Sequence, residues 1–163
     1  RLFMFAIISQ APFMFFTSIF NNAFDLNIFF TLFLGLVAII GYEQCKNKYV
    51  GILLVACLGL TADALKMDYG YFGIFMIFIF HVFKNKRLLM NLSFIALCLF
   101  KYIPLYIKYN FYLPYMFLFI CTCLSLLFIN QYNGEKGKNF KYLLYGFYPV
   151  HLILLYVFNI IFI

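Results

Sequence analysis

The sequence predicts an all-α fold, a polytopic bundle of about seven transmembrane helices forming one integral membrane domain over residues 1–163, and three observations predict it. Of its 163 residues, 67% are hydrophobic and only 10% charged, against about 45–50% and about 25% in soluble domains. The apolar residues gather into runs close to the roughly 20 that a helix needs to cross a hydrocarbon core. Between them lie brief hydrophilic separators: "NNAFD", "EQCKNK", "KMD", "KNKR", "KYN" and "NQYNGEKGKNF".

The first run, residues 2–20, carries Ser9, Gln10 and Pro12 in an otherwise greasy stretch. A Gln in mid-membrane ordinarily holds helices together by hydrogen bonding. The second and third runs, residues 26–42 and 49–65, end in "EQCKNK" and "TADALKMD". The fourth, residues 69–83, is short; Asp68 opens it as an expected N-terminal cap, and Gly70 and Gly73 are spaced for close approach between helices. The fifth, residues 88–107, is interrupted by Lys101 and Pro104. The sixth and seventh are residues 111–129 and 142–163. Separators this short make neighbouring helices antiparallel. No short apolar region with a small-residue cleavage site follows Arg1, so no signal peptide is expected. Arg1 in first place leads us to expect the remainder of a longer chain.

Charge orients the bundle. With Arg1 on the cytoplasmic side, that side also collects Lys46, Lys48, Lys84, Lys86, Arg87, Lys136, Lys138 and Lys141, and the other keeps Lys66, Lys101 and Lys108. This is the positive-inside bias of a multi-pass membrane protein. It also accounts for the net charge of +7 without nucleic acid, whose binders gather basic residues on one soluble face. The expected partner is the lipid bilayer. Five cysteines, mostly within apolar runs, make no disulfide framework. Cys121 and Cys123 turn to nearly opposite helical faces, so no metal site is expected.

Polar residues inside apolar runs are the candidates for function. His151 stands in "LLYGFYPVHLILLY", about 13 Å along its helix from Tyr142 and near the midplane. Pro149 removes a backbone donor beside it and frees a carbonyl one turn earlier, which suggests a cavity wall. His151 either bonds a Tyr or carbonyl of the next helix or transfers protons. Asp63 and Asp68 are expected at or near the outer surface. Asp63 either pairs with Lys66 there or, like Asp68, partners a base or an incoming amine. Lys136, Lys138 and Lys141 either fix the topology or, with "KNKR", attract an anionic cytoplasmic ligand such as the phosphates of coenzyme A.

Five stretches, "RLFMFAIISQAPF", "LNIFFTLFLGL", "DYGYFGI", "NGEKGKN" and "KYLLYGFYPVHLILLY", together resemble the TraX family of bacterial membrane proteins, in the family's order and over most of the chain. The matching positions are Arg1, Gln10, Pro12, Asp68, Tyr69, Gly70, Gly73, Tyr148, Pro149 and His151. The family takes its name from a conjugation protein associated with pilin acetylation, and it is similar to membrane acyltransferases that use cytoplasmic acetyl-CoA. The resemblance therefore implies acyl transfer at or across the bacterial inner membrane, with acetyl-CoA as co-substrate; the substrate does not carry over from the family, and the acceptor expected here is a pilin-like peptide or a glycan. It also implies additional helices with an Asp-His pair ahead of Arg1.

On this reading His151 is the expected base and Asp68 its catalytic partner or the group that orients the acceptor. Arg1, Gln10, Asp63, Tyr69 and Tyr148 form the expected substrate-binding set, with Tyr148 and Gln10 as donors to an oxyanion. Lys136, Lys138 and Lys141 would hold the coenzyme. Two other classes fit the same residues. One is a proton-coupled transporter or flippase relaying protons through Asp63 and His151; the other is a non-catalytic membrane scaffold.

Overall fold

A computed structural model describes residues 1–19, 25–133, 135 and 140–162, with the side chains of Lys141, Tyr142 and Leu144 excepted. Seven helices occupy the described residues: α1 (Leu2–Ser18), α2 (Ile28–Gln44), α3 (Lys48–Ala64), α4 (Gly70–Val82), α5 (Arg87–Lys108), α6 (Leu113–Asn130) and α7 (Lys141–Phe162). Each predicted run is recovered as a helix to within a few residues at either end. α5 continues through both Lys101 and Pro104 rather than breaking there.

The count of spans is smaller than the count of helices. Among the described residues three helices are long and apolar enough to cross a membrane: Arg87–Lys108, Leu113–Asn130 and Tyr145–Phe162. Leu2–Ser18, Ile28–Gln44 and Gly70–Val82 are apolar but shorter. At about 1.5 Å per residue, a 17-residue helix such as α1 covers about 25 Å of a core about 30 Å thick. The expected seven spans therefore reduce to three clear ones. Large apolar side chains line the outside, and α6 buries only Leu126; such a surface belongs in lipid.

The chain divides into two compact units, residues 1–74 with 138–163, and residues 75–137. In the first, α1 packs on α2 and α7, and α2 on α3. Small residues make the α2 and α3 faces close-fitting: Thr31, Gly35 and Ala38 are buried on one, and Gly51, Val55, Gly59 and Ala62 on the other. Spacings of three and four keep each set on one helical stripe. Between α1 and α7, Phe5 stacks on Tyr145 at 4.2 Å and Phe15 meets Tyr156 at 5.8 Å. Contacts that advance together in this way make α1 and α7 parallel.

In the second unit α5 packs on α6, burying Met90, Phe94, Leu97 and Cys98. Phe80 of α4 stacks on Phe94 at 5.5 Å, and the Tyr102 hydroxyl lies 3.2 Å from Thr122 Oγ1.

The start of α4 shows why glycine stands there. Gly70 has φ +47°, and a Cβ on it would sit 2.0 Å from Asp63 Oδ1. That oxygen accepts the Tyr71 backbone N–H at 2.8 Å. Asp63 therefore serves the first turn of α4. Gly70→Ala is expected to displace this carboxylate and strain the backbone, destabilising the protein by roughly 2–4 kcal/mol. Thermal unfolding of the detergent-purified variant measures it; an unchanged midpoint would contradict the close contact.

Candidate functional site

Two stretches of non-helical backbone, residues 25–27 and 65–69, meet where α2 and α4 begin. They form a parallel bridge between Leu26 and Met67: Leu26 N–H donates to the Lys66 carbonyl at 3.0 Å, and Asp68 N–H donates to the Leu26 carbonyl at 2.7 Å. Both stretches lie beside interior turns of α1 and α7. α1 runs on from Gln10 to Ser18 and α7 from Tyr148 to Phe162, about 12 and 21 Å further in the same direction. Irregular backbone at such a level needs its polar groups satisfied by protein, because hydrocarbon offers none.

Side chains satisfy them. Gln10 Nε2 donates to the Asp25 carbonyl at 2.8 Å, and Gln10 Oε1 accepts from the Asn27 backbone N–H at 3.2 Å and from Asn27 Nδ2 at 3.0 Å. Asn27 is fully buried; its Nδ2 also donates to the Ala6 carbonyl at 2.7 Å, while its Oδ1 accepts from Phe29 N–H at 2.9 Å and caps α2. The Thr31 hydroxyl donates to the Asp68 carbonyl. At Gly73 a Cβ would come within 2.6 Å of Thr31 Cγ2, so only glycine lets α4 approach α2 this closely.

The Asp68 carboxylate belongs to a half-buried turn residue and is followed by Tyr69 at φ +66°. For an aromatic residue this left-handed conformation is strained by about 1–3 kcal/mol, and such strain gathers at functional sites. The Tyr148 phenol on α7 faces the backbone N–H of Ile28, with Asp68 and Tyr69 near enough to act on it electrostatically. Tyr148 stands edge-on to Phe29 at 5.1 Å and to His151 at 5.5 Å. The His151 ring, half-buried, stacks on Phe147 at 5.1 Å, and its Nδ1 lies 3.1 Å from the Phe147 carbonyl. A carbonyl only accepts, so this bond places the proton on Nδ1 and leaves Nε2 as the basic nitrogen.

A family model described as "TraX protein" matches residues 1–159. The chain belongs to the TraX family. Neither curated proteins nor solved structures give a match.

In this TraX-family chain the fold brings Gln10, Asp68, Tyr69 and Tyr148 to one level, with His151 one turn further along α7 and Asp63 joined through the start of α4. The stretch that carries Asp68 therefore lies beside interior turns of α1 and α7 rather than beside their ends. The imidazole takes its backbone bond within its own helix, where a carbonyl of the next had been one expectation. Gln10 has both ends of its amide engaged in holding residues 25–27, so positioning describes it better than oxyanion donation. Arg1 stands apart, about 13 Å along α1 from Gln10. It lines an open groove of about 450 Å³ with Phe3, Phe33 and Leu36. Lys136 and Lys138 lie outside the described residues, and of Lys141 only the backbone is described, in the first turn of α7.

Sequence reasoning missed two polar residues of the cluster, Asn27 and Thr31. Asn27 had a signal: a cap-forming residue just before the apolar periodicity of α2. Thr31 had none, because one hydroxyl within "IFFTLF" reads as ordinary helix.

Proposed function

We propose that this chain forms all or much of an integral membrane acetyltransferase of the bacterial inner membrane, moving an acetyl group from cytoplasmic acetyl-CoA to an amine or hydroxyl of a membrane or envelope acceptor, such as a pilin-like peptide or a glycan. Family membership supports the reaction class. The observation that carries the reading is the convergence of His151, Tyr148 and Asp68 beside interior turns of apolar helices, where ionisable groups are expensive to keep.

In this reading His151 Nε2 removes a proton from the acceptor as its nitrogen or oxygen attacks the thioester carbonyl. The new carbon–nitrogen or carbon–oxygen bond forms, the carbon–sulfur bond breaks, and the imidazolium returns the proton to the departing thiolate. Tyr148 donates to the oxyanion that develops between these events. Asp68, with Tyr69 and Asp63 beside it, orients the acceptor amine. Lys136, Lys138 and Lys141 draw the coenzyme phosphates to the cytoplasmic face.

The test is transfer of labelled acetyl from acetyl-CoA to a pilin-like peptide or an envelope glycan by the purified full-length protein. Tyr148→Phe is expected to lower kcat by about 10²- to 10³-fold with little change in KM for acetyl-CoA. Proton-coupled uptake into proteoliposomes without any acetyl transfer would replace this reading with the transporter.

A further inference from the structure

The second unit holds a basin of about 500 Å³ lined by Phe80, Lys84, Arg87, Met90, Asn130 and Tyr132, among others. Its size suits a small ligand, and its lining has two characters. Phe80, Met90 and Ile129 supply an apolar wall, while Lys84 and Arg87 supply two exposed cations. Neither cation is held in an ion pair among the described residues. Arg87 is the first residue of α5, a 22-residue helix whose N-terminus has no side-chain cap. The positive end of that helix therefore adds to the same field.

Among the described groups on the facing side, one carboxylate, Glu135, stands against the two cations. The carbonyls of Phe128 and Ile129 at the end of α6 accept from Gln131 and Tyr132 N–H at 3.2 Å. The Glu135 carboxylate accepts from Asn133 Nδ2 at 3.0 Å, and the Tyr132 hydroxyl donates to the Glu135 carbonyl at 3.0 Å. Asn130 lines the basin with a buried Oδ1 that has no partner among the described residues.

We propose that this basin binds the phosphate of an amphiphilic phosphate ester. Arg87 grips the phosphate oxygens with its planar fork, Lys84 adds a point charge, and the apolar wall receives the attached chain. Basic pockets at the ends of membrane helices suit two sources of that chemistry, an anionic phospholipid headgroup and a soluble acyl donor. If the source is the donor, the proposal rests on the acetyl-transfer reading; if it is the lipid, it stands alone.

Binding measured without turnover separates the two. The purified full-length protein is titrated with phosphatidylglycerol in nanodiscs, with coenzyme A and with inorganic phosphate, and bound ligand is read by native mass spectrometry. The double variant Lys84→Gln, Arg87→Gln is expected to bind at least about 10-fold more weakly, and Lys48→Gln to bind as the wild type does. Phosphatidylglycerol held against millimolar coenzyme A identifies the lipid; coenzyme A bound in its place identifies the donor. The proposal is overturned if no probe distinguishes the double variant from wild type, or if Lys48→Gln weakens binding as much. Intact binding with no acetyl transfer would count against the acetyl-transfer reading alone.

Discussion

Exchange of His151 for Ala is expected to lower acetyl transfer by about 10²- to 10⁴-fold, the range that a positioned general base contributes, while expression and helical content stay as they are. The ring takes its backbone bond from its own helix and stacks on the exposed Phe147, so its loss removes no contact between helices that is visible at Nδ1. His151→Asn makes the sharper comparison. Its amide can still donate to the Phe147 carbonyl, but it has nothing in place of Nε2 to take up a proton. If the imidazole is a base, Asn fails as badly as Ala in single-turnover transfer of labelled acetyl. Should Asn restore transfer, the ring is a structural donor and Tyr148 with Asp68 must carry the chemistry by other means.

A second large effect is expected in stability. Asn27→Ala removes the cap of α2 and both Nδ2 bonds, one to the Ala6 carbonyl and one to Gln10 Oε1, all at a fully buried position. Together these amount to about 2–4 kcal/mol. Asn27→Ser retains a cap acceptor and loses the amide donors, so it should fall between the two. Equilibrium unfolding in mixed micelles gives the order wild type, Ser, Ala. Equal midpoints for all three would mean that residues 25–27 are held by something other than the network described above.

These two residues also mark what a sequence reveals and what it hides. The helices were legible because apolar runs and short hydrophilic separators are local features, and boundaries such as those of α3 and α6 moved by only one or two residues. Span number was not legible, because α1, α2 and α4 are as greasy as α7 but shorter than a hydrocarbon core requires. The placement of Asp68 was hidden for another reason. A loop's composition suggests water, whereas residues 25–27 and 65–69 are drawn alongside α1 and α7 by bonds from Gln10, Asn27 and Thr31 that only the fold creates. The service of Asp63 to α4 has the same origin: its carboxylate meets Tyr71 N–H where the chain turns back through positive φ at Tyr69 and Gly70.

The parallel seating of α7 against α1 bears on how the protein is made. Gln10 and Asn27 can find each other as soon as α1 and the start of α2 have left the ribosome, and Thr31 can meet the Asp68 carbonyl once α3 has followed. Tyr148 and His151 arrive only with α7, which must then dock beside α1 across most of the intervening chain. The cluster of Asp68, Tyr148 and His151 is thus assembled only once α7 has been made, and a nascent chain halted before α7 holds Asp68 in place with no imidazole beside it.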